Sequence, residues 1–156
     1  MTLLNENNQV SHFEKGSVIF LENTPSSFLY IISSGRVRIV KESGDRIIPL
    51  AIVKEKEFIG ELSIFDDSKH NATAIAHGPV DLVKVQKSDI QNQLNSLPDW
   101  INTIMLTLTD RLRSIDDIIQ KNRIIDDDLC EGIPLLPEEE VLIKAKIAEA
   151  KKAYAR

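Results

Sequence analysis

From Phe13 to Gln86 the apolar residues fall in short β-branched runs broken by turn residues, a rhythm that predicts many short strands rather than helices. The runs are Val18-Ile-Phe-Leu21, Phe28-Leu-Tyr-Ile-Ile32, Val37-Arg-Ile-Val40, Ile47 to Val53, Ala72-Thr-Ala-Ile75 and Val80 to Val85. Between them stand Glu14-Lys-Gly16, Glu22-Asn-Thr-Pro25, Ser33-Ser-Gly35, Ser43-Gly-Asp45 and His77-Gly-Pro79. Each carries a residue that tolerates positive φ or has φ fixed by a proline ring. The architecture this predicts is mainly β with added helices: an antiparallel barrel of the jelly-roll kind, which spares so many short strands their open edges. Only the stretch from Gly60 to Phe65 interrupts the rhythm, with a Gly-Glu-Leu-Ser start that reads as one helical turn among strands.

After Ser88 the period becomes helical, first over Asp89 to Leu97 and again beyond Pro98, where Pro98 or Asp99 opens a long helix reaching about Arg123. Along it Ile101, Met105, Leu108, Leu112, Ile115 and Ile119 follow steps of 4, 3, 4, 3 and 4, the seam of a two-stranded coiled coil. Asn122, next on the seam, is polar. The stripe could pack on the chain's own barrel. However, Ile104, Leu106 and Ile118 offer a second apolar face, so that one side docks while the other pairs, and the expectation is a homodimer through this helix. Ile125-Asp-Asp-Asp-Leu-Cys-Glu-Gly132 and Ile133-Pro-Leu-Leu-Pro137 then read as an acidic, proline-punctuated linker without regular structure. A last helix opens at Pro137, with Glu138, Glu139 and Glu140 at its start and Lys151 and Lys152 near its end, matching the helix dipole. Val141, Leu142, Ala145, Ala148 and Ala153 are its expected docking face, on the barrel or on a partner. The chain thus divides into a barrel over 1–87, helices over 88–125 and a linker with tail helix over 126–156.

Composition narrows the function. With 42% hydrophobic and 28% charged residues the chain is of ordinary globular make-up. A net charge of −5 is the wrong sign for a protein living on phosphate backbones or anionic lipid, which argues against nucleic acid and membrane surfaces as partners. The single cysteine, Cys130, cannot form an internal disulfide, and its acidic surroundings raise a thiol pKa, so it reads as an unreactive thiol in a reducing compartment. With no basic start followed by an apolar core, and no stretch of roughly 20 apolar residues, the expected location is the cytoplasm. His12, His70 and His77 lack metal-ligand spacing, and Asp126 to Asp128 with Glu131 lack the alternating ligands and turn glycine of a calcium loop. No catalytic motif is recognisable, and no metal, cofactor or enzymatic activity is expected.

Two segments carry a resemblance. Phe58-Ile-Gly-Glu-Leu-Ser-Ile-Phe65, followed by Asn71-Ala-Thr-Ala-Ile-Ala76, resembles the phosphate-binding cassette of cyclic-nucleotide-binding domains. Upstream, Phe13-Glu-Lys-Gly-Ser-Val-Ile-Phe20, the Asn23 turn and Leu29 to Val37 are similar to that family's opening strands, so that the likeness runs from about Phe13 to Arg123. It implies a barrel of the cyclic-nucleotide-binding type followed by a long dimerisation helix. Gly60, lacking a Cβ, lets backbone approach a ligand closely, and the helical turn beginning there, through Leu62 and Ser63, aims N–H groups at an anion. The resemblance gives Glu61 a sugar hydroxyl to bind, and it sets Ala72 and Thr73 at the phosphate and Arg111 on the long helix.

The departures from the family pattern decide the functional expectation. Where the family has an arginine pairing with the cyclic phosphate, this chain has Asn71. That charge-assisted contact is worth roughly 1.5–3 kcal/mol, so affinity should fall by about one to two orders of magnitude. The neighbouring Lys69 and His70 are candidates to substitute for that arginine, but a flexible ammonium fixes geometry loosely and both read first as solvated loop residues. On the long helix, the hydroxyl residues that touch the purine in catabolite-activator members become Ile115 and Asp116, with Ser114 one step early. Asn23 and Lys56 stand where the family usually has glycine, and Lys56 predicts an altered turn before the cassette. About 33 residues follow Arg123, with no helix-turn-helix pattern among them, so DNA is not an expected partner. The expected function is a bacterial, non-enzymatic regulatory module: a dimeric protein-interaction scaffold, its partner protein unknown, that has lost standard cyclic AMP binding. The alternative is a sensor of an atypical cyclic nucleotide.

Overall fold

The structure, a computed structural model, describes residues 10–65, 68–122 and 135–155. Eight strands precede the long helices: β1 (Val10–Phe13), β2 (Val18–Phe20), β3 (Phe28–Ser34), β4 (Arg36–Ser43), β5 (Arg46–Lys54), β6 (Phe58–Ile59), β7 (Thr73–Ala76) and β8 (Val80–Gln86). They form two antiparallel four-stranded sheets, ordered β1-β8-β3-β6 and β2-β7-β4-β5, the barrel-like double sheet that the strand rhythm predicts. Strand β1 lies outside the expected set; Val10, Ser11, His12 and Phe13 pair with Val83 to Val80 of β8, although this segment is too polar to register as an apolar run. The long β4–β5 hairpin shifts register where Ile39 opposes Ala51 and Val40 opposes Pro49, and the proline sits at that irregularity rather than within an even ladder.

Tyr30, Ile32, Val37, Ile59, Ala74, Ala76, Val80 and Leu82 form the core between the sheets. A second cluster lies on the outer face of the β2-β7-β4-β5 sheet, where Leu21, Val40, Ile47 and Ile75 meet Ile143 and Ile147. Strands β4 and β7 are therefore covered on both faces, which is why all four residues of β7 are buried and why β4 buries even Arg38 and Lys41 beside Val37 and Val40. At Gly35, φ is +87° and an added Cβ would lie 2.4 Å from the Pro79 carbonyl, so the β3–β4 turn admits only glycine.

Four helices complete the chain: α1 (Leu62–Phe65), α2 (Lys87–Leu94), α3 (Asp99–Asn122) and α4 (Pro137–Tyr154). Helix α2 begins two residues earlier than its expected start, and its end is followed by turns in which Ser96 and Leu97 donate backbone bonds to Gln93 and Leu94. The linker expected from Ile125 falls, up to Pro134, outside the described residues.

Both outer helices dock by faces other than those expected. On α3, Thr109 is buried, Asn102 reaches the Leu94 carbonyl and Arg113 the Leu62 carbonyl, so a polar side faces the chain. Ile104 and Ile118, expected to dock, are exposed with Leu108, Leu112 and Ile115, while Leu106 is partly exposed beside a small cavity bordered by Ile64 and Leu94. Ile101 and Met105 are half-buried, and the side chains of Asp116 and Ile119 lie outside the described residues. On α4 the docked residues are Ile143, Ile147 and Ala150, with Val141, Leu142, Ala145 and Ala148 exposed. The spacing 143, 147, 150 is a helical stripe in its own right, rotated away from the Val141–Leu142 pair. Flanking polar contacts fix that rotation: Arg38 Nη1 donates to Glu139 Oε2 at 3.3 Å and the Ile47 amide to Glu140 Oε1 at 3.0 Å. Near the far end, Lys151 Nζ lies 2.7 Å from Glu42 Oε1. The tail helix thus packs on the barrel of its own chain.

Candidate functional site

The expected cassette residues surround a cavity of about 310 Å³ enclosed by β4, β5, β6, α1 and one turn of α3. Gly60, Glu61, Leu62, Ser63, Asn71 and Ala72 all line it, and Leu112 reaches it from α3. Gly60 holds φ at +86°, and an added Cβ would sit 3.3 Å from the Phe28 carbonyl and 3.5 Å from His70 Cε1. Glycine is therefore required there by backbone conformation as well as by close approach. The single turn of α1 is held by Ile64 N donating to Glu61 O at 3.1 Å and by the Ser63 hydroxyl donating to Gly60 O at 3.0 Å.

Two cations support the cassette from outside. Lys87, at the start of α2, donates to Ser63 O at 2.6 Å. Arg113, from α3, donates to Leu62 O at 3.0 Å and also bonds the Ser68 hydroxyl. Neither borders the cavity. The sequence offered no signal for Lys87, and for the long helix it pointed to Arg111. That arginine is exposed and borders a separate surface hollow with Thr107, Asp110, Ser114 and Ile115. Thr73 is also placed differently from the expectation: fully buried in β7, its hydroxyl accepts the Glu22 amide at 2.9 Å and does not face the cavity.

His70 is the larger correction, because it is not a solvated loop residue. Its backbone is pinned to the Asn23 turn, His70 N donating to Thr24 O at 3.0 Å and Asn23 N to His70 O at 2.8 Å. Its ring is buried, lying flat on Phe20 with centroids 3.8 Å apart and planes at 10°, and forms part of the cavity wall. Burial, with the charge of Lys87 nearby, pushes the imidazole pKa down to about 4, so the ring is neutral at pH 7. Lys69 is exposed beside it.

The Asn23 and Lys56 turns keep the backbone that glycine would give, with φ of 64° and 71°. Lys56 N donates to Ile32 O at 2.9 Å, so the turn before the cassette is closed rather than altered. Among the described residues, no group of three or more His, Cys, Asp or Glu is arranged to hold a metal ion, and no helix is long and apolar enough to cross a membrane.

Comparison with known proteins places this geometry. The family model for the cyclic nucleotide-binding domain matches residues 10–96. The CRP-like cAMP-activated global transcriptional regulator of Mycobacterium tuberculosis is 31% identical over 102 residues, 65% of this chain and 46% of that protein. The cyclic AMP receptor protein of Thermus thermophilus is 28% identical over 105 residues, 67% of this chain and 49% of the relative. The chain spans about half the length of the curated relatives it matches. Among solved structures, the cAMP-bound form of the EAL enzyme Bd1971 superposes with a TM-score of 0.65 at 32% identity, over 74% of this chain and 32% of that one. The Thermus thermophilus catabolite activator protein superposes with a TM-score of 0.58 at 26% identity, over 74% of this chain and 55% of that one.

Proposed function

We propose that this chain, which belongs to the cyclic nucleotide-binding domain family, is a non-enzymatic regulatory module that has lost standard cyclic AMP binding and acts as a dimeric protein-interaction scaffold. The observation that carries this reading is the charge of the cavity wall. Among the described residues that line it, Glu61 is the charged one, and neither lysine nor arginine is present. His70 is neutral at pH 7, and Asn71 stands where a guanidinium would meet the phosphate. A cyclic phosphate entering here would lose water and gain no counter-charge, which buried anions do not tolerate without a shift in equilibrium.

The second half of the reading rests on α3. Its polar side is spent on the chain, and Leu108, Leu112 and Ile115 are each about half exposed at seam spacing. A stripe of that kind is covered by a second copy. DNA is a poor partner for these residues: the net charge is −5, and the one helix described after α3 packs on the barrel. A sensor of an atypical cyclic nucleotide is the second reading. It is favoured by the intact Gly60 backbone and the space beside it, and by the solved forms of Bd1971 described as bound to cAMP and to cGMP.

Isothermal titration calorimetry with cyclic AMP, cyclic GMP and a cyclic dinucleotide, each to millimolar concentration, separates the two. The scaffold reading expects no saturable heat from the native chain and a gain of about one to two orders of magnitude in affinity for Asn71→Arg, the worth of one charge-assisted bond. Micromolar binding by the native chain overturns the scaffold reading in favour of the sensor.

A further inference from the structure

On the other side of His70 lies a second and larger cavity, about 540 Å³, between β2, the segment from Thr24 to Phe28 and the last turns of α4. Its wall is apolar over Val18, Leu21, Pro25, Phe28, Ala150 and Ala153, and among the described residues no charged side chain lines it. Two polar groups in that wall are more than nine-tenths buried: Tyr30, 8% exposed, and His70, 5% exposed. The Tyr30 and His70 side chains both line the cavity, so their polar atoms border its space. Polar groups in a protein interior ordinarily find a hydrogen-bond partner, and a molecule in this cavity can supply one to both. Burial raises the Tyr30 phenol pKa and lowers that of the His70 imidazole, so both present uncharged hydrogen-bonding groups at pH 7. The rings form a continuous surface: His70 is stacked on Phe20, Phe20 lies 5.6 Å from Tyr30, and Tyr30 lies 6.2 Å from Phe28.

We propose that this cavity is a binding site for a neutral, largely apolar small molecule with an aromatic ring and a hydrogen-bonding group, of the indole or phenol class. Its ring lies along the Phe20, Tyr30 and Phe28 surface, and its polar group meets Tyr30 and His70. The volume falls within the roughly 300–1,000 Å³ of small-molecule sites, and their usual composition, an apolar lining with a few convergent polar groups, is the one seen here. Charge sets the class: with no counter-ion in the wall, a carboxylate or phosphate would be desolvated without compensation. The site is therefore chemically distinct from the Gly60 cavity and does not depend on whether a nucleotide enters there. Because α4 supplies Ala150, Ala153 and Tyr154, an occupant also joins the tail helix to the barrel.

The test is nuclear magnetic resonance of the full chain, labelled at alanine methyls and histidine rings, titrated with indole and with p-cresol to millimolar concentration and with benzoate as the charged comparator. Expected are saturable shifts at Ala150, Ala153 and His70 Cε1–H with at least one neutral probe, none with benzoate, and at least a tenfold weaker affinity in Tyr30→Phe. Ala153→Trp, at the exposed end of α4, fills the mouth without touching the inner core; it should abolish the shifts and leave the melting temperature unchanged. The proposal is overturned by the absence of saturable shifts with both neutral probes, or by benzoate binding as tightly as p-cresol. Equally damaging are shifts centred on Ala72, which would place the probe in the neighbouring cavity, and unchanged affinity in both variants.

Discussion

Helices α3 and α4 lie against the same barrel and use opposite logic. Helix α4 turns Ile143 and Ile147 inward, 8% and 2% exposed, leaves Val141 and Leu142 outside, and pins itself with Glu139, Glu140 and Lys151. Helix α3 turns Asn102, Thr109 and Arg113 inward and leaves Leu108, Leu112 and Ile115 at 48%, 51% and 52% exposure. Helix α4 thus has an apolar stripe docked on the barrel, whereas the apolar stripe of α3 at seam spacing is left half exposed. Burying an exposed leucine or isoleucine is worth roughly 1.5–3 kcal/mol, so three or more such residues on one helix amount to an unspent association energy. The difference separates a helix that consolidates the fold from one that awaits a second surface.

The largest expected effect breaks the α3 side of that contrast. Leu108→Glu together with Leu112→Glu should convert a dimer wholly to monomer, read as a halving of mass by light scattering, because a buried seam cannot hold unpaired carboxylates. Both side chains are about half exposed in the single chain, Leu112 at the edge of the cassette cavity, so the barrel should keep its melting behaviour at low protein concentration. A native chain that is already monomeric at high micromolar concentration would show that the stripe serves something other than self-pairing.

Next in size is a change on α4. Ile147→Ala removes a side chain that meets Leu21, Val40, Ile47 and Ile75 at a nearly closed surface, at a cost of about 2–4 kcal/mol. Hydrogen exchange should show the α4 amides losing protection to that extent, independently of protein concentration. Leu108→Ala should instead produce a loss that grows with concentration. If Ile147→Ala were concentration-dependent and Leu108→Ala were not, the assignment of the two helices would be reversed.

How far the chain's sequence displays this contrast depends on what sets helix rotation. The strands of the two sheets, the α1 turn and the length of α3 follow from runs and turn residues, since each is a local pattern that packing then confirms. Rotation is not local. Arg111 and Arg113 lie about 200° apart around α3, and periodicity favours turning the apolar stripe inward. The barrel instead offers the Leu62 and Leu94 carbonyls, which choose Arg113 and Asn102. On α4 two apolar stripes compete in the sequence, Val141 and Leu142 with the alanines against Ile143, Ile147 and Ala150, and the position of Arg38 and of the Ile47 amide selects the latter. His70 is obscured for a similar reason: its neighbours Lys69 and Asn71 are polar, and only its backbone pairing with the Asn23 turn brings the ring inside. The cassette frame was legible where the chain's own conformation demands it, at Gly60 and the Asn23 turn, and not at Lys56, Thr73 or Arg111, whose places depend on what packs around them.

The smallest effect sharpens the α4 side, where a buried cation is part of the dock. The Arg38 side chain is 4% exposed, and among the described residues its Nε and Nη2 have no hydrogen-bond partner; Glu139, 37% exposed, supplies the counter-charge. Glu139→Gln should cost about 1–2 kcal/mol, less than a fully buried pair because water reaches the carboxylate. Arg38→Met should be close to neutral, since it removes the charge that needs compensation. Acid reports the same contact. Burial raises the Glu139 pKa, but the hydrogen bond and charge of Arg38 outweigh it, and the net displacement is downward; that of Glu140 is lowered chiefly by the Ile47 amide. Groups with depressed folded pKa values contribute stability above the unfolded carboxylate range, near 4.3, and lose it as pH falls through the folded value. His70 acts in a higher window: its lowered pKa makes the unfolded chain take up the proton first, so stability declines between roughly 6.5 and about 4. In thermal melts across pH, Glu139→Gln should therefore reduce only the loss below about pH 4 and leave the His70 segment of the curve unchanged. An unaltered acid limb would mean that α4 is held by its apolar stripe alone.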